Sequence, residues 1–119
     1  MAKIKLKRIY EPATSEDGTR ILVDRIWPRG ISKEAAALAF WSRETAPSDE
    51  LRKWYRHTPD KAPEFRRRYF AELDAHPREV ASLVDHLGKP LTTFVFASKE
   101  EVLHNAQALK EYLEQQKLA

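Results

Sequence analysis

The chain has 119 residues, a length typical of one domain, and it contains no cysteine. The missing thiol excludes disulfides, a thiolate nucleophile and cysteine-ligated zinc or iron–sulfur centres. Hydrophobic residues make up 42% of the chain, which is too large a fraction for a disordered protein. Charged residues make up 33%, which is too large a fraction for a membrane protein. No apolar run approaches the roughly 20 residues of a transmembrane helix, and the N-terminus has no signal-peptide pattern. We therefore expect a cytoplasmic protein with no membrane partner.

Basic residues are concentrated in the first part of the chain. Residues 1–33 contain eight Lys or Arg and four Asp or Glu, a net charge of +4, whereas the whole chain carries +3. A basic region of this kind favours an anionic partner. A solvated surface of mixed sign explains so small an excess equally well, and both interpretations stay open at this point.

The first part of the chain is predicted to contain two strands and a short helix. Apolar and basic residues alternate over 3–7, which indicates a strand with one basic face. Pro, Ser, Asp and Gly over 11–19 indicate a loop, and Arg20–Ile26 is predicted to be the second strand. Ser32 is predicted to cap a helix over Lys33–Leu38.

The remaining sequence is predicted to form helices before and after one strongly apolar strand. Phe40 and Trp41 fit either a third short strand or a loop anchor. Helices are predicted from Ser48, over 61–75 and from Pro77 to Gly88, followed by a strand over Leu91–Ala97 and a last helix that begins with a Ser98–Glu101 capping box. This order predicts an α/β fold: one domain over 1–119, a three-layer sandwich with a small, mostly parallel sheet.

Two predicted strand ends lead directly into predicted helix starts. They are residues 24–33 and the segment Ala97-Ser98-Lys99. Ligands of open α/β sheets bind outside the carboxyl ends of the strands, and helix N-termini offer free N–H groups to anions. We therefore expect a site for a compact anion, such as a phosphate, a nucleotide or a carboxylate, at this edge of the sheet.

The predicted site residues are expected to supply positive charge, backbone N–H donors at helix starts, or the walls of a pocket. They are Tyr10, Arg20, Arg25, Trp27, Arg29, Ser32, Lys33 and Ser98. Asp24 is an acid on a β-rich segment, and it is the candidate general base if the protein is an enzyme. A buried ion pair between Asp24 and an arginine is the structural alternative. Packing alone is the corresponding alternative for Trp27.

Neither a metal nor a known cofactor is indicated by the sequence. The four histidines do not occur at metal-ligand spacings. The chain has three glycines and lacks the glycine-rich phosphate loops and the nucleophile elbow. The sequence therefore leaves the cofactor unknown and the question of an enzyme open.

Two other functions remain as alternatives. A nucleic-acid-binding module would use the basic region of residues 1–33 and the Arg66–Arg68 run, and its affinity would fall steeply with salt. Glu64 and Glu72 flank Arg68 at i±4, however, which favours a solvated, salt-bridged helix face. A protein-interaction or dimerisation domain is the other alternative, with the loop over 27–30 purely structural. The oligomeric state stays open.

Residues 17–33 (DGTRILVDRIWPRGISK) resemble the signature of the YeaO-like family of bacterial proteins, DUF488. Further matching stretches are residues 51–55 (LRKWY) and His104-Asn105-Ala106, so the resemblance covers nearly the whole chain. It implies a small cytoplasmic α/β domain without an established activity. More distant relatives are similar but carry a Cys-His-Arg motif near the start of the last helix, where this chain has Val102-Leu103-His104-Asn105. This departure argues against thiol or metal chemistry there.

Overall fold

A four-stranded, all-parallel sheet forms the centre of the fold. The computed structural model describes residues 3–56, 58–99 and 105–119. The strands are β1 (Lys3–Arg8), β2 (Thr19–Leu22), β3 (Phe40–Trp41) and β4 (Leu91–Phe96), and their order across the sheet is β1-β4-β2-β3. The segment that the sequence left as either strand or loop is thus a two-residue edge strand beside β2.

Helices fill the connections between the strands. In the described residues they are α1 (Lys33–Ala36), α2 (Asp49–Tyr55), α3 (Ala62–Asp74), α4 (Pro77–His86) and α5 (Asn105–Gln115). None of them has the length and apolar character needed to cross a bilayer. The parallel sheet with helical connections confirms the predicted α/β fold.

Serine side chains cap α1 and α2, as predicted. The Ser32 hydroxyl accepts a hydrogen bond from the Ala35 N–H at 3.1 Å, and the Ser48 hydroxyl accepts one from the Leu51 N–H at 3.1 Å. Glu72 on α3 in turn accepts hydrogen bonds from the Ser48 hydroxyl and N–H, at 2.6 and 2.9 Å. The start of α2 is therefore held against α3.

The second strand ends earlier than predicted, at Leu22 instead of Ile26. The Val23 N–H still donates to the Val95 carbonyl at 3.2 Å, and the next rung of a parallel ladder would join the Ala97 N–H to the Val23 carbonyl. Side chains replace that rung. The Asp24 carboxylate accepts the Ala97 N–H at 2.8 Å, and the Asn105 amide donates to the Val23 carbonyl at 3.0 Å. The two strands separate at this point.

The two faces of the sheet are covered by layers of different thickness, four helices on one face and a short helix with a loop on the other. One face, with Ile21 and Phe94, packs against apolar residues of α2, α3, α4 and α5. The other face, with Leu22 and Val95, packs against Ala36 of α1 and against the loop that follows β2. Adjacent strand residues point to opposite faces, so both faces of the central strands are buried. The third layer of the sandwich is thus thin.

A buried polar cluster lies on the thinly covered face around Asp17. The Asp17 carboxylate is inaccessible to solvent and forms ion pairs with Arg20 at 2.7 Å, Lys7 at 3.0 Å and Lys5 at 3.5 Å. Burial alone would raise the pKa of Asp17, but hydrogen bonds from the Thr14 N–H and from the Lys7 and Arg20 side chains outweigh it and leave the pKa below its ordinary value. Three of the eight basic residues of 1–33 are therefore paired with one buried acid.

Candidate functional site

A cavity of about 410 Å³ opens where β2 and β4 end and their chains separate. This volume is in the range of small-molecule sites. Its apolar walls are Ile26, Trp27, Pro28, Ala46, Pro47, Tyr55, Phe65 and Ala97. Its polar and charged lining consists of Asp24, Arg25, Arg29, Arg52, Ser98 and Asn105. A mostly apolar cavity with a few convergent polar groups is the usual form of a small-ligand site.

Asp24 is the one acid among the described residues that line the cavity. One of its oxygens accepts the Ala97 N–H at 2.8 Å, and the other accepts the Asn105 amide at 3.2 Å. No arginine or lysine of the described residues forms an ion pair with it, so the structural alternative of a buried Asp24–Arg pair is wrong for this part of the chain. Hydrogen bonds from neutral donors hold this carboxylate in place.

The environment of Asp24 favours its protonated form relative to water. Burial raises the pKa of the Asp24 carboxyl, and the hydrogen bonds from Ala97 and Asn105 and the charge of Arg52 offset only part of this rise. A carboxylate in such a place gains from any cation that approaches it.

Arg25 shapes the wall of the cavity. Its guanidinium donates to the carbonyls of Pro47 at 3.1 Å and of Ala46 at 3.0 Å, and it holds the segment that leads into α2. Arg8, at the end of β1, does the same on the opposite side, where it donates to the carbonyls of Ala97 and Ser98 at 3.1 Å each. These two arginines fix the backbone on both sides of the cavity.

Arg29 and Arg52 are the solvent-exposed arginines of the lining. The Arg29 guanidinium has no hydrogen-bond or ion-pair partner within the described ranges, although the Tyr10 hydroxyl donates to the Arg29 carbonyl at 3.0 Å and holds its backbone. Arg52 lies 3.2 Å from Asp49 in an exposed ion pair, which contributes little to stability. Both guanidinium groups are available to a ligand.

Trp27 is both a wall of the cavity and a fixed part of the loop. Its indole N–H donates to the Ile31 carbonyl at 2.7 Å, and its ring packs edge-on against Trp41 with 5.4 Å between the ring centroids. The two interpretations of Trp27 left open by the sequence are therefore compatible, because the same ring packs on one side and borders the cavity on the other.

Five of the nine predicted site residues line this cavity: Asp24, Arg25, Trp27, Arg29 and Ser98. The other four are outside it. Arg20 is buried beside Asp17, and Tyr10 supports the Arg29 backbone from outside the cavity. Ser32 caps α1, and Lys33 is the exposed first residue of that helix. The expected helix start after Ser98, with Glu101 and His104, lies outside the described residues.

Neither Arg52 nor Asn105 is among the site residues predicted from the sequence. A signal for Arg52 was present, because it lies three residues before Tyr55 on a capped helix, and residues at i and i+3 share a face. The position of Asn105 beside Asp24 depends on a contact across 81 residues of chain, which no local pattern reveals.

The Arg66–Arg68 run is engaged in ion pairs. Arg66 pairs with Glu111, and Arg67 and Arg68 both pair with Glu64. Arg68 also lies over the Trp54 ring, at 4.1 Å from its centroid. The salt-bridged interpretation of this face is thus confirmed, although Glu72 binds Ser48 and not Arg68. The described residues contain no group of three or more metal-ligating side chains.

Comparison with known proteins identifies the family. The family model described as "Inactive DUF488-N3 subclade" matches residues 3–119. The uncharacterised protein YeaO of Escherichia coli K12 is 42% identical over 110 residues, which cover 92% of this chain and 96% of YeaO. Uncharacterised proteins of Mycobacterium bovis and Mycobacterium tuberculosis are each 38% identical over 111 residues, or 93% of either chain. No solved structure matches the chain. These findings confirm the resemblance to the YeaO-like family.

Proposed function

Since the chain belongs to the DUF488 family, in the subclade described as inactive, we propose that it binds a compact anion in this cavity without transforming it. One observation carries the proposal: three arginines and one aspartate border a mostly apolar cavity, which gives the described part of its lining a net charge of +2. The Arg29 guanidinium, which lacks a protein partner among the described residues, is the principal anion ligand.

The apolar walls support both the affinity and the kind of ligand. Trp27, Tyr55 and Phe65 exclude water from one side of the cavity, and a charge interaction is stronger where less water surrounds it. A guanidinium can donate two parallel hydrogen bonds to a phosphate or a carboxylate. The ligand that fits best is therefore an oxyanion attached to a small apolar body.

Binding is favoured over catalysis by the chemistry of the lining. General acid–base catalysis usually uses two titratable groups with different pKa values, and the described lining contains one carboxyl, Asp24, and no histidine. Both oxygens of Asp24 already accept hydrogen bonds. The subclade description agrees with a cavity that retains a ligand without a reaction.

Isothermal titration calorimetry with 4-ethylphenyl phosphate and with inorganic phosphate tests the proposal. The wild-type chain should bind the aryl phosphate, and Arg29→Gln should weaken binding about 10- to 100-fold, because a charge-assisted hydrogen bond contributes roughly 1.5–3 kcal/mol. Arg67→Gln is the matched control, since this exposed arginine pairs with Glu64 on α3, outside the cavity lining. Absence of binding at millimolar ligand, or equal affinities for the Arg29 and Arg67 variants, would refute the proposal.

A further inference from the structure

The proposed anion site also contains a negative charge, that of Asp24, which an anionic ligand would not neutralise. Asp24 lines the same cavity as Arg25, Arg29 and Arg52, yet none of the three forms an ion pair with it. The Arg25 guanidinium donates to backbone carbonyls, and Arg52 pairs with Asp49. A purely anionic ligand in this cavity would meet arginine on one side and a carboxylate on the other.

The Asp24 carboxylate has acceptor capacity that the protein does not use. An ionised carboxyl group offers about four lone-pair positions, and the described residues occupy two of them, through Ala97 and Asn105. Both of these donors are neutral. The charge of Arg52 offsets only part of the cost of burying this half-buried carboxylate, and a ligand cation beside it would offset more.

The carboxylate is also held in a fixed position before any ligand arrives. The Ala97 N–H belongs to the backbone that continues β4, and the Asn105 amide is itself held by the Val23 carbonyl at 3.0 Å. A ligand group that binds Asp24 therefore does not have to order this side chain, which reduces the entropic cost of binding.

We propose that the ligand of this cavity is a zwitterion, with an ammonium group bound by Asp24 and an oxyanion bound by Arg29 and Arg52. The inference rests on the proposed anion site and names its ligand class. Amino acids, phosphorylated amines and amino sugar phosphates share this chemistry. One acid and two exposed arginines border a single cavity, so one ligand that carries charges of both signs can contact both.

A neutral hydroxyl donor is the closest rival for the position beside Asp24. It would satisfy a lone pair and leave the negative charge of the carboxylate uncompensated, whereas an ammonium group supplies both the hydrogen bond and the charge. Replacing the ammonium group of a probe by a hydroxyl therefore separates the two possibilities directly.

Matched probes test the inference by calorimetry at neutral pH. One set is 4-(2-aminoethyl)phenyl phosphate with its 2-hydroxyethyl and ethyl analogues, and a shorter set is O-phosphoethanolamine with ethyl phosphate. In at least one set the ammonium compound should bind about tenfold tighter or more than its neutral analogues, as one charge-assisted hydrogen bond predicts. Asp24→Asn should abolish this advantage and keep the affinity for the neutral phosphate. Asp49→Asn, an exposed acid outside the lining, should preserve the advantage.

The outcomes separate this inference from the proposed function. If the neutral phosphates bind and the ammonium group adds nothing in either set, the zwitterion inference is wrong and the anion site stands. If no probe binds, both are wrong. Arg29→Gln provides a second test that leaves Asp24 intact. It should weaken the ammonium and neutral probes by the same factor, and a loss confined to the neutral probes would overturn the inference.

Discussion

Replacement of Asp17 by asparagine should destabilise the protein strongly, because this carboxylate is the centre of a buried charge cluster. It accepts hydrogen bonds from the Arg20 guanidinium at 2.7 Å, from the Lys7 ammonium at 3.0 Å and from the Thr14 N–H at 3.1 Å. The substitution conserves side-chain volume and removes the negative charge. It therefore tests whether Arg20 and Lys7 are structural cations.

The size of the effect follows from the exposure of the cations left behind. The Arg20 side chain is 4% exposed, so it cannot recover its lost partner from water. Breaking a buried ion pair at one partner costs roughly 3–5 kcal/mol. Lys7 is 14% exposed and Lys5 is 42% exposed, and partial hydration of these two favours the lower end, about 3 kcal/mol. That is a large part of the ~5–15 kcal/mol typical of a whole domain.

The effect should also depend on pH in a defined direction. The folded-state pKa of Asp17 lies below its ordinary value, so its carboxylate stabilises the fold at pH above the unfolded value of about 3.9. This contribution is lost as the pH falls from there through the lower folded pKa. The stability difference between the wild type and Asp17→Asn should therefore be constant near neutral pH and smaller below about pH 3.

Urea unfolding at neutral and at acid pH measures both quantities. Asp49→Asn is the control, because Asp49 is 61% exposed and its pair with Arg52 should contribute less than about 1 kcal/mol. The reasoning fails if Asp17→Asn costs no more than Asp49→Asn at neutral pH, or if its cost is unchanged in acid. Unchanged m-values between variants would show that the comparison concerns stability alone.

Two further substitutions test the backbone around the sheet. Gly18 and Gly30 both have positive φ, but a methyl group at Gly18 would lie 2.4 Å from the Leu91 carbonyl oxygen, whereas Gly30 has open space. Gly18→Ala should therefore lower the melting temperature clearly more than Gly30→Ala, and equal shifts would contradict this packing. Asn105→Ala should cost roughly 1–3 kcal/mol in urea unfolding, because it leaves the Val23 carbonyl, just after β2, without this donor. A cost no larger than that of the exposed Gln115→Ala would contradict this expectation.

The elements that the sequence predicted best are those whose signals are local. The four-residue spacing of Phe65, Tyr69 and Leu73 predicts α3, and the β-branched and aromatic residues of Leu91–Phe96, which show little polar alternation, predict the central strand. The end of β2 was predicted four residues too late. Its true end depends on side-chain hydrogen bonds of Asp24 and Asn105 to residues more than 70 positions away, which local β-propensity does not register.

The position of the cavity was predictable from the sequence, but not all of its lining residues were. The strand-to-loop junction at Asp24–Arg29 identified the correct edge of the sheet, because a parallel sheet brings the carboxyl ends of its strands together. Arg20 could have been separated from this group by geometry alone. It lies four residues before Asp24, and four residues of strand span about 13 Å. Arg52 enters from α2, whose position against the sheet follows from tertiary packing.

Basic residues of 1–33 occur in two groups on the sheet, and one of these groups borders the cavity that we propose as a ligand site. On the thinly covered face, Lys5, Lys7 and Arg20 surround Asp17, whose charge is fully compensated by the protein. At the carboxyl end, Asp24 has neutral donors and Arg29 has no partner among the described residues, although both border one cavity. The two groups therefore have different consequences: the cluster around Asp17 stabilises the fold, whereas Asp24 and Arg29 have no ion-pair partner among the described residues, and the proposed zwitterion would match both.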